Sequence, residues 1–400
     1  KMASNPRKIR ITEEEYQKSL EEPLTYVDFT GTFRAPHFVM YVLNILRERY
    51  GDATVENGGL QVKTSLDVKM YDEFQKIAKE EIEKASSLNV SNAGIVAIDP
   101  QTREILAMVG SIDYFDDEID GQFNVALGKR QPGSTLKPFT YLAGLLQGYT
   151  ASTVMYDVYT QFKNSEGVQG YDPQNYGGWG FRGPIQIRYA LANSVNLTAV
   201  KMLDLVGIPT MVKLANDLGV KSLYYDPSKH GLALTLGGGE VTLLDLTSGY
   251  ASLAAGGVYK DTVAIIEVKD YSGKILEQHS GADGKRVVEE RYVYIISSIL
   301  SDNNARSAAF GTGSQLYIPN NKVAVKTGTS NDLKDNWTVG YTKDITIGVW
   351  VGNNNGKQMN NRLASGLTGA APIWNRSIKF FLKDHPNTEF VKPEGIKEVM

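Results

Sequence analysis

Ile95-Val96-Ala97-Ile98-Asp99-Pro100-Gln101-Thr102-Arg103-Glu104-Ile105-Leu106-Ala107-Met108-Val109 is two short apolar runs around a turn. Asp-Pro followed by polar residues sets a tight turn, so the runs predict a β-hairpin. Neither run alternates polar with apolar residues. A strand of that kind has both faces covered. Working outward, three more strand-like stretches lie far down the chain, at Lys322 to Thr327, Trp337 to Tyr341 and Ile345 to Trp350. Tyr341-Thr342-Lys343-Asp344 supplies the turn between the last two. Residues from about 134 to 255 read as helix-rich. The simplest assembly is an α+β fold: one central antiparallel sheet of about five strands flanked by helices.

Upstream of the hairpin, Thr12 with Glu15 reads as a capping box. A helix is predicted from Phe38 to Tyr50, a short strand from Leu60 to Thr64, and a long amphipathic helix carrying Tyr71, Phe74, Ile77, Ala78 and Ile82 on one face. The polar stretch Ser86 to Asn92 closes this small mixed region. We therefore divide the chain into residues 1–92 and residues 93–400. Of the 400 residues, 42% are hydrophobic and 22% charged, which suits a globular protein with a sizeable core. The net charge is −3, so no large positive field exists to hold nucleic acid. No apolar run reaches the about 18 residues that a membrane-crossing helix needs. Cysteine is absent, which removes disulfides, thiolate metal sites and cysteine nucleophiles.

The four histidines, His37, His230, His279 and His385, are far apart and suggest neither a metal site nor a His-based triad. No cofactor is expected. A nucleophilic enzyme built without His or Cys needs Ser or Thr with another base, and a lysine of depressed pKa can serve. Ser134 and Lys137 stand three apart behind the break Gln131-Pro132-Gly133. If Ser134 opens a helix, both side chains share one side, with Leu142, Leu145 and Leu146 giving a buried face. Such a spacing arises about once or twice by chance in a chain this long, so alone it identifies nothing. Lys326-Thr327-Gly328-Thr329-Ser330 follows the strand-like Val323-Ala324-Val325. Gly328 is expected to leave that edge uncrowded for a ligand backbone, with Lys326 and the hydroxyls of Thr327 and Thr329 holding a carboxylate. The pattern Ser-x-Asn occurs three times, at Ser87-Leu88-Asn89, Ser194-Val195-Asn196 and Ser301-Asp302-Asn303. Ser194 sits in a helix–break–helix pattern between the other two elements, which favours it. Ser301 reads as the end of a helix. Gly237-Gly238-Gly239 lacks the Lys-Ser/Thr of a phosphate loop and reads as a tight turn or close packing.

In this order, the three elements resemble the active-site serine penicillin-recognising enzymes. The likeness extends to Ala97-Ile98-Asp99-Pro100, Arg130-Gln131-Pro132-Gly133-Ser134, Leu236-Gly237-Gly238-Gly239-Glu240-Val241-Thr242, Asp335-Asn336-Trp337-Thr338-Val339-Gly340-Tyr341 and Ala371-Pro372-Ile373-Trp374. These are similar to the transpeptidase domain of class A penicillin-binding proteins, from about residue 93 to 395. Asn336 departs from the family, which usually has Ala there. Residues 1–92 look like the family's linker region and the end of its glycosyltransferase domain. The Glu-Asp-x-x-Phe signature of that second activity is absent, and so is the membrane anchor.

The resemblance implies a peptidoglycan D,D-transpeptidase on the extracytoplasmic face of a bacterial cell membrane. Ser134 is then the nucleophile, Lys137 the general base, and Lys326 the neighbour that helps keep Lys137 neutral. Ser194 relays a proton to the leaving D-alanine, and Asn196 hydrogen-bonds the donor peptide or Lys137. The N–H groups of Ser134 and Thr329 form the oxyanion hole, while Thr327 and Thr329 hold a carboxylate. The implied partners are D-Ala-D-Ala stem peptides, β-lactam antibiotics and other cell-wall synthesis proteins. The segment Tyr171 to Gly183 is expected at the cleft rim. A β-lactamase, a D,D-carboxypeptidase or a non-catalytic β-lactam sensor domain shares the same elements and is the alternative.

Overall fold

The structure, a computed structural model, describes residues 12–21, 34–162, 170–176, 180–226, 230–281, 283–330, 332–361, 368–385 and 389–397. The chain divides into two compact units, Lys1–Arg34 and Ala35–Met400. In the first, helix α1 (Glu13–Glu21) opens on a reciprocal cap. The Glu15 N–H donates to Thr12 Oγ1 at 3.2 Å, and the Thr12 N–H donates to Glu15 Oε2 at 2.7 Å.

The second unit begins with α2 (Pro36–Tyr50), α3 (Asp52–Asn57), β1 (Gln61–Thr64) and α4 (Val68–Lys84). Strands β2 (Asn92–Ile98) and β3 (Ile105–Val109) follow as the hairpin. The middle holds α5 (Lys137–Leu146), the small hairpin β4 (Val154–Asp157) and β5 (Gly183–Gln186), then α6 (Ile187–Ala192), α7 (Asn196–Val206), α8 (Ile208–Asp217) and α9 (Leu243–Ala254). Next come β6 (Val258–Tyr259), β7 (Ile265–Lys269), β8 (Ile275–Gln278), β9 (Lys285–Arg286), α10 (Glu290–Ser301) and α11 (Asn303–Phe310). Strands β10 (Ala324–Thr329), β11 (Asp335–Tyr341), β12 (Thr346–Gly352) and helix α12 (Ala370–Asp384) end the fold.

The central sheet has five strands in the order β10-β11-β12-β2-β3. Every pairing in it is antiparallel, as the sequence predicts for an α+β fold. A smaller sheet, β1-β7-β8, and two strand pairs lie outside it. The central strands are apolar on both faces because helices cover both. Gly340 and Ile347 are register partners, so they share a face. A Cβ on Gly340 would sit 2.4 Å from the Trp374 ring of α12, so α12 covers that face. Gly348, one residue on, faces the other way, and its Cβ would sit 2.1 Å from Thr247 of α9. Trp374 is fully buried on the α12 face, and Trp337 and Trp350, register partners on the opposite face, are fully buried as well. Asn336 is also fully buried, and its Oδ1 accepts the Ala370 N–H at 2.9 Å. Asn336 thus caps the start of α12, a service an alanine cannot give.

Two expectations need correction. Leu146 does not join the buried face of α5; it is 43% exposed at the helix end. The helix-rich stretch from residue 134 to 255 is interrupted by the β4–β5 hairpin, which lies outside the sequence expectation.

Candidate active site

Ser134 does not open an α-helix. It lies in a 3-10 turn, Gly133–Leu136, and α5 starts at Lys137. Pro138 gives the reason. An α-helix from Ser134 would need a Pro138 N–H to reach the Ser134 carbonyl, and proline has none. The Lys137 N–H bonds that carbonyl instead, one residue early. The turn is pinned by Trp337 Nε1 donating to Gln131 O at 2.8 Å and by Tyr250 Oη donating to Thr135 O at 2.7 Å. Ser134 itself is half-buried.

Gly133, at φ 57°, is held between two backbones. A Cβ there would lie 2.5 Å from Thr329 N. The Gly237 backbone closes the other side, since a Cβ on Gly237 would meet Gly133 N at 2.2 Å. Of the glycine cluster, Gly237 is therefore close packing against the Ser134 turn, while Gly238 and Gly239 pack against Ala233 and Leu234. Gly328 also serves that turn: its Cβ would lie 2.2 Å from Pro132 O. The room that Gly328 leaves is taken by the protein's own chain, which differs from the sequence expectation. The free edge of β10 is set by its register instead. Ser330 N–H donates to Asp335 O on β11 at 2.9 Å. Alternation then turns the Thr329 N–H and C=O outward, to the side where Gly133 lies. Thr327 is buried and Thr329 half-buried beside it.

The break between α6 and α7 places Ser194. Val195 N–H donates to Ala190 O at 2.9 Å and Ser194 N–H to Leu191 O at 3.0 Å. This is a Schellman close with Ser194 in the position that usually holds glycine. Ser194 accordingly has φ 56°, in the left-handed region, at a cost of about 1–2 kcal/mol. The strain aims two oxygens of one residue at a lysine. Lys137 Nζ donates to Ser194 O at 2.6 Å and approaches Ser194 Oγ at 3.3 Å. It also donates to Asn196 Oδ1 at 2.8 Å. Lys326 Nζ, entering from β10, donates to Ser194 Oγ at 2.8 Å and to Thr327 O at 2.8 Å. Of the three Ser-x-Asn matches, the structure brings the one at Ser194 to these lysines. Ser301 ends α10, and Asp302 caps α11 by accepting the Ala305 N–H at 2.9 Å.

All the named acceptors on the two lysines are neutral oxygens, and both lysines are buried. Burial pushes Lys137 well below the ordinary lysine range, and the Lys326 charge adds to this. Burial, then the Arg306 guanidinium, pushes Lys326 down to about 7. Arg306 escapes a reading of the sequence because no motif marks it. It is buried on α11, where its Nη2 donates to Leu300 O at 2.7 Å. The two short bonds from Lys137 account for both hydrogens of a neutral amine, leaving its lone pair for a proton.

Removing the Ser194 hydroxyl separates strain from chemistry. Ser194→Gly and Ser194→Ala lose the same contacts, but only glycine is relaxed at this φ. The glycine variant is expected to be more stable than the alanine variant by about 1 kcal/mol, or roughly 2 °C in Tm. Calorimetry on the pair checks this, and an equal or lower Tm for Ser194→Gly would show that the turn is not strained.

The chain matches the penicillin-binding protein transpeptidase domain over residues 93–379. It is a member of that family. Among curated relatives, it is 29% identical to penicillin-binding protein 2D of Bacillus subtilis, over 97% of this chain and 55% of the relative. It is 30% identical to penicillin-binding protein 1A of Neisseria meningitidis, over 80% of this chain and 41% of the relative. The chain thus spans about half the length of these penicillin-binding proteins. Its fold is similar to that of penicillin-binding protein 1A from Haemophilus influenzae, with a TM-score of 0.78 at 20% identity over 95% of this chain and 75% of the other. It is also similar to that of PonA1 of Mycobacterium tuberculosis in complex with penicillin V, with a TM-score of 0.76 at 22% identity over 91% and 97% of the two chains. Within the matched residues, Lys137 and Lys326 both meet Ser194, and the Ser134 turn packs against Thr329 of β10.

Proposed function

We propose that this penicillin-binding protein domain is a peptidoglycan D,D-transpeptidase that cross-links stem peptides through a Ser134 acyl-enzyme and is covalently blocked by β-lactams. The observation that carries the reading is Lys137, buried, pushed well below the ordinary lysine range and one 3-10 turn from Ser134. Lys137 takes the Ser134 Oγ proton as the oxygen attacks the carbonyl of the penultimate D-alanine. The Ser134 and Thr329 N–H groups stabilise the oxyanion. As the C–N bond breaks, Ser194 passes a proton from Lys137 to the leaving D-alanine amine. Its contact with both lysines suits a proton relay. Lys326, Thr327 and Thr329 hold the terminal carboxylate, Gly328 keeps the Ser134 turn against β10, and Asn196 orients Lys137. An amine from a second stem peptide then attacks the ester and regenerates Ser134.

In this reading, residues 1–92 correspond to the linker region and the end of a glycosyltransferase domain, and residues 93–400 form the transpeptidase domain. The protein works on the extracytoplasmic face of the cell membrane beside other cell-wall synthesis proteins. The test is incubation with a stem peptide ending in D-Ala-D-Ala plus an acceptor amine. D-alanine release with an amide product supports the reading. Release with only hydrolysed product would make it a carboxypeptidase, and drug turnover without a lasting adduct a β-lactamase. Acylation by drug with no D-alanine release would make it a sensor.

A further inference from the structure

Asn196 is oriented by a segment that lies outside all three motif elements. Helix α7 begins at Asn196 with Val195 as its N-cap, and Val195 has no side chain that can cap it. Asn175, from the segment 170–176, supplies the missing acceptor. Its Oδ1 accepts the Asn196 N–H at 3.0 Å and the Leu197 N–H at 3.3 Å. Next to it, Gln174 O accepts from Asn196 Nδ2 at 2.8 Å. With Nδ2 engaged there, the Asn196 amide is left with Oδ1 toward Lys137.

Asn175 is fixed in turn. Its Nδ2 donates to Asp157 Oδ1 at 3.0 Å, Asp157 Oδ2 at 2.9 Å and Gly180 O at 3.0 Å. These partners of Nδ2 are all acceptors, and those of Oδ1 are both N–H donors, so the amide has one orientation. Asp157 ends β4, is fully buried, and takes the Arg182 N–H at 2.9 Å as well. Three hydrogen bonds converge on a carboxylate that water does not reach. The segment Tyr171 to Gly183 thus touches the site through Gln174 and Asn175; residues 177–179 of it lie outside the described residues.

We propose that Asp157 and Asn175 are positioning residues for the acyl-transfer reaction: the chain Asp157–Asn175–Asn196 sets the amide that orients Lys137. The inference rests on the transpeptidase reading above. Were Asn196 to turn over, its Nδ2 would donate to the Lys137 lone pair and occupy the electrons that take the Ser134 proton. Geometry errors of this kind reduce rate without removing the binding surface.

Exchanging donor and acceptor tests this on the full chain. Asp157→Asn leaves one oxygen for the N–H groups that two served. Asn175→Asp sets two carboxylates against each other. Combining the two substitutions restores one donor and one acceptor. The amide introduced at position 157 donates to the carboxylate introduced at position 175, which still accepts from the Asn196 and Leu197 N–H groups. Benzylpenicillin acylation over a concentration series separates the acylation rate constant from the pre-covalent Kd. Each single variant is expected to lose about ten- to a hundredfold in rate constant with Kd little changed. The double variant is expected to recover part of that loss, because Gly180 O still lacks the donor that Asn175 Nδ2 supplies. Single variants as fast as wild type would overturn the inference, as would rate and Kd both worsening with no recovery in the double. Failure of wild type to be acylated would instead overturn the transpeptidase reading.

Discussion

Ser134→Ala is expected to form no covalent adduct with benzylpenicillin, while wild type gains a single long-lived one, read by intact mass over time. The effect is all or none because the variant lacks the atom that makes the ester bond. The 3-10 turn should survive, since its anchors are the Gln131 and Thr135 carbonyls and not the Ser134 side chain. An unchanged Tm would show this. Ser301→Ala is the control. Its hydroxyl bonds within α10, to Ser298 O at 3.4 Å, so acylation should be nearly unchanged. Persistent labelling of Ser134→Ala would refute the nucleophile assignment.

Lys137→Met should lower the acylation rate by about 10²–10⁴-fold, the range a positioned general base contributes. Methionine is close to the buried stem in length, so loss of folding is not the expected cause. Two acceptors, Ser194 O and Asn196 Oδ1, lose their donor, and a lower Tm should accompany the lost rate. The pH dependence has a definite sign. Lys137 serves only when neutral, so the wild-type rate falls on the acid side as the amine gains a proton. Lys326, with its pKa near 7, carries charge below that pH and loses it above. Pre-covalent affinity for an anionic β-lactam should therefore weaken as pH rises through 7 in the free enzyme. A rate in Lys137→Met within tenfold of wild type would move the base elsewhere.

Much of the scaffold is legible in the sequence, because strands covered on both faces announce themselves as apolar runs between turn residues. The hairpin at residues 95–109 and the three late strands are of this kind. The site is legible where its chemistry is local, as with Ser134 and Lys137. Where placement depends on distant chain, local reading fails. Ser194 is an exception, favoured over the literal Ser-Asp-Asn at residues 301–303 by its helix–break–helix setting, while Ser301 reads as the helix end that it is. The strained turn at Ser194 shows only in three dimensions. Gly328 reads as room for a ligand because the Pro132 carbonyl that fills the space is far upstream in the chain. Asp157, Asn175 and Arg306 lie outside the motifs and act through contacts that periodicity does not encode.

The order of strands in the central sheet also bears on how the protein is made. β2 pairs with β12, so the sheet joins elements from opposite ends of the domain, and the chain between β3 and β10 is a long insertion. Lys137 and Ser194 come from that insertion, while Lys326 arrives on an outer strand after it. A nascent chain that has emerged only as far as α11 has its serine and first lysine but neither a completed sheet nor the second lysine. Such late, long-range closure is slow to form. Antibiotic reactivity should therefore switch on abruptly once the final strands dock, so that acylation reports completed folding and not merely the presence of the serine.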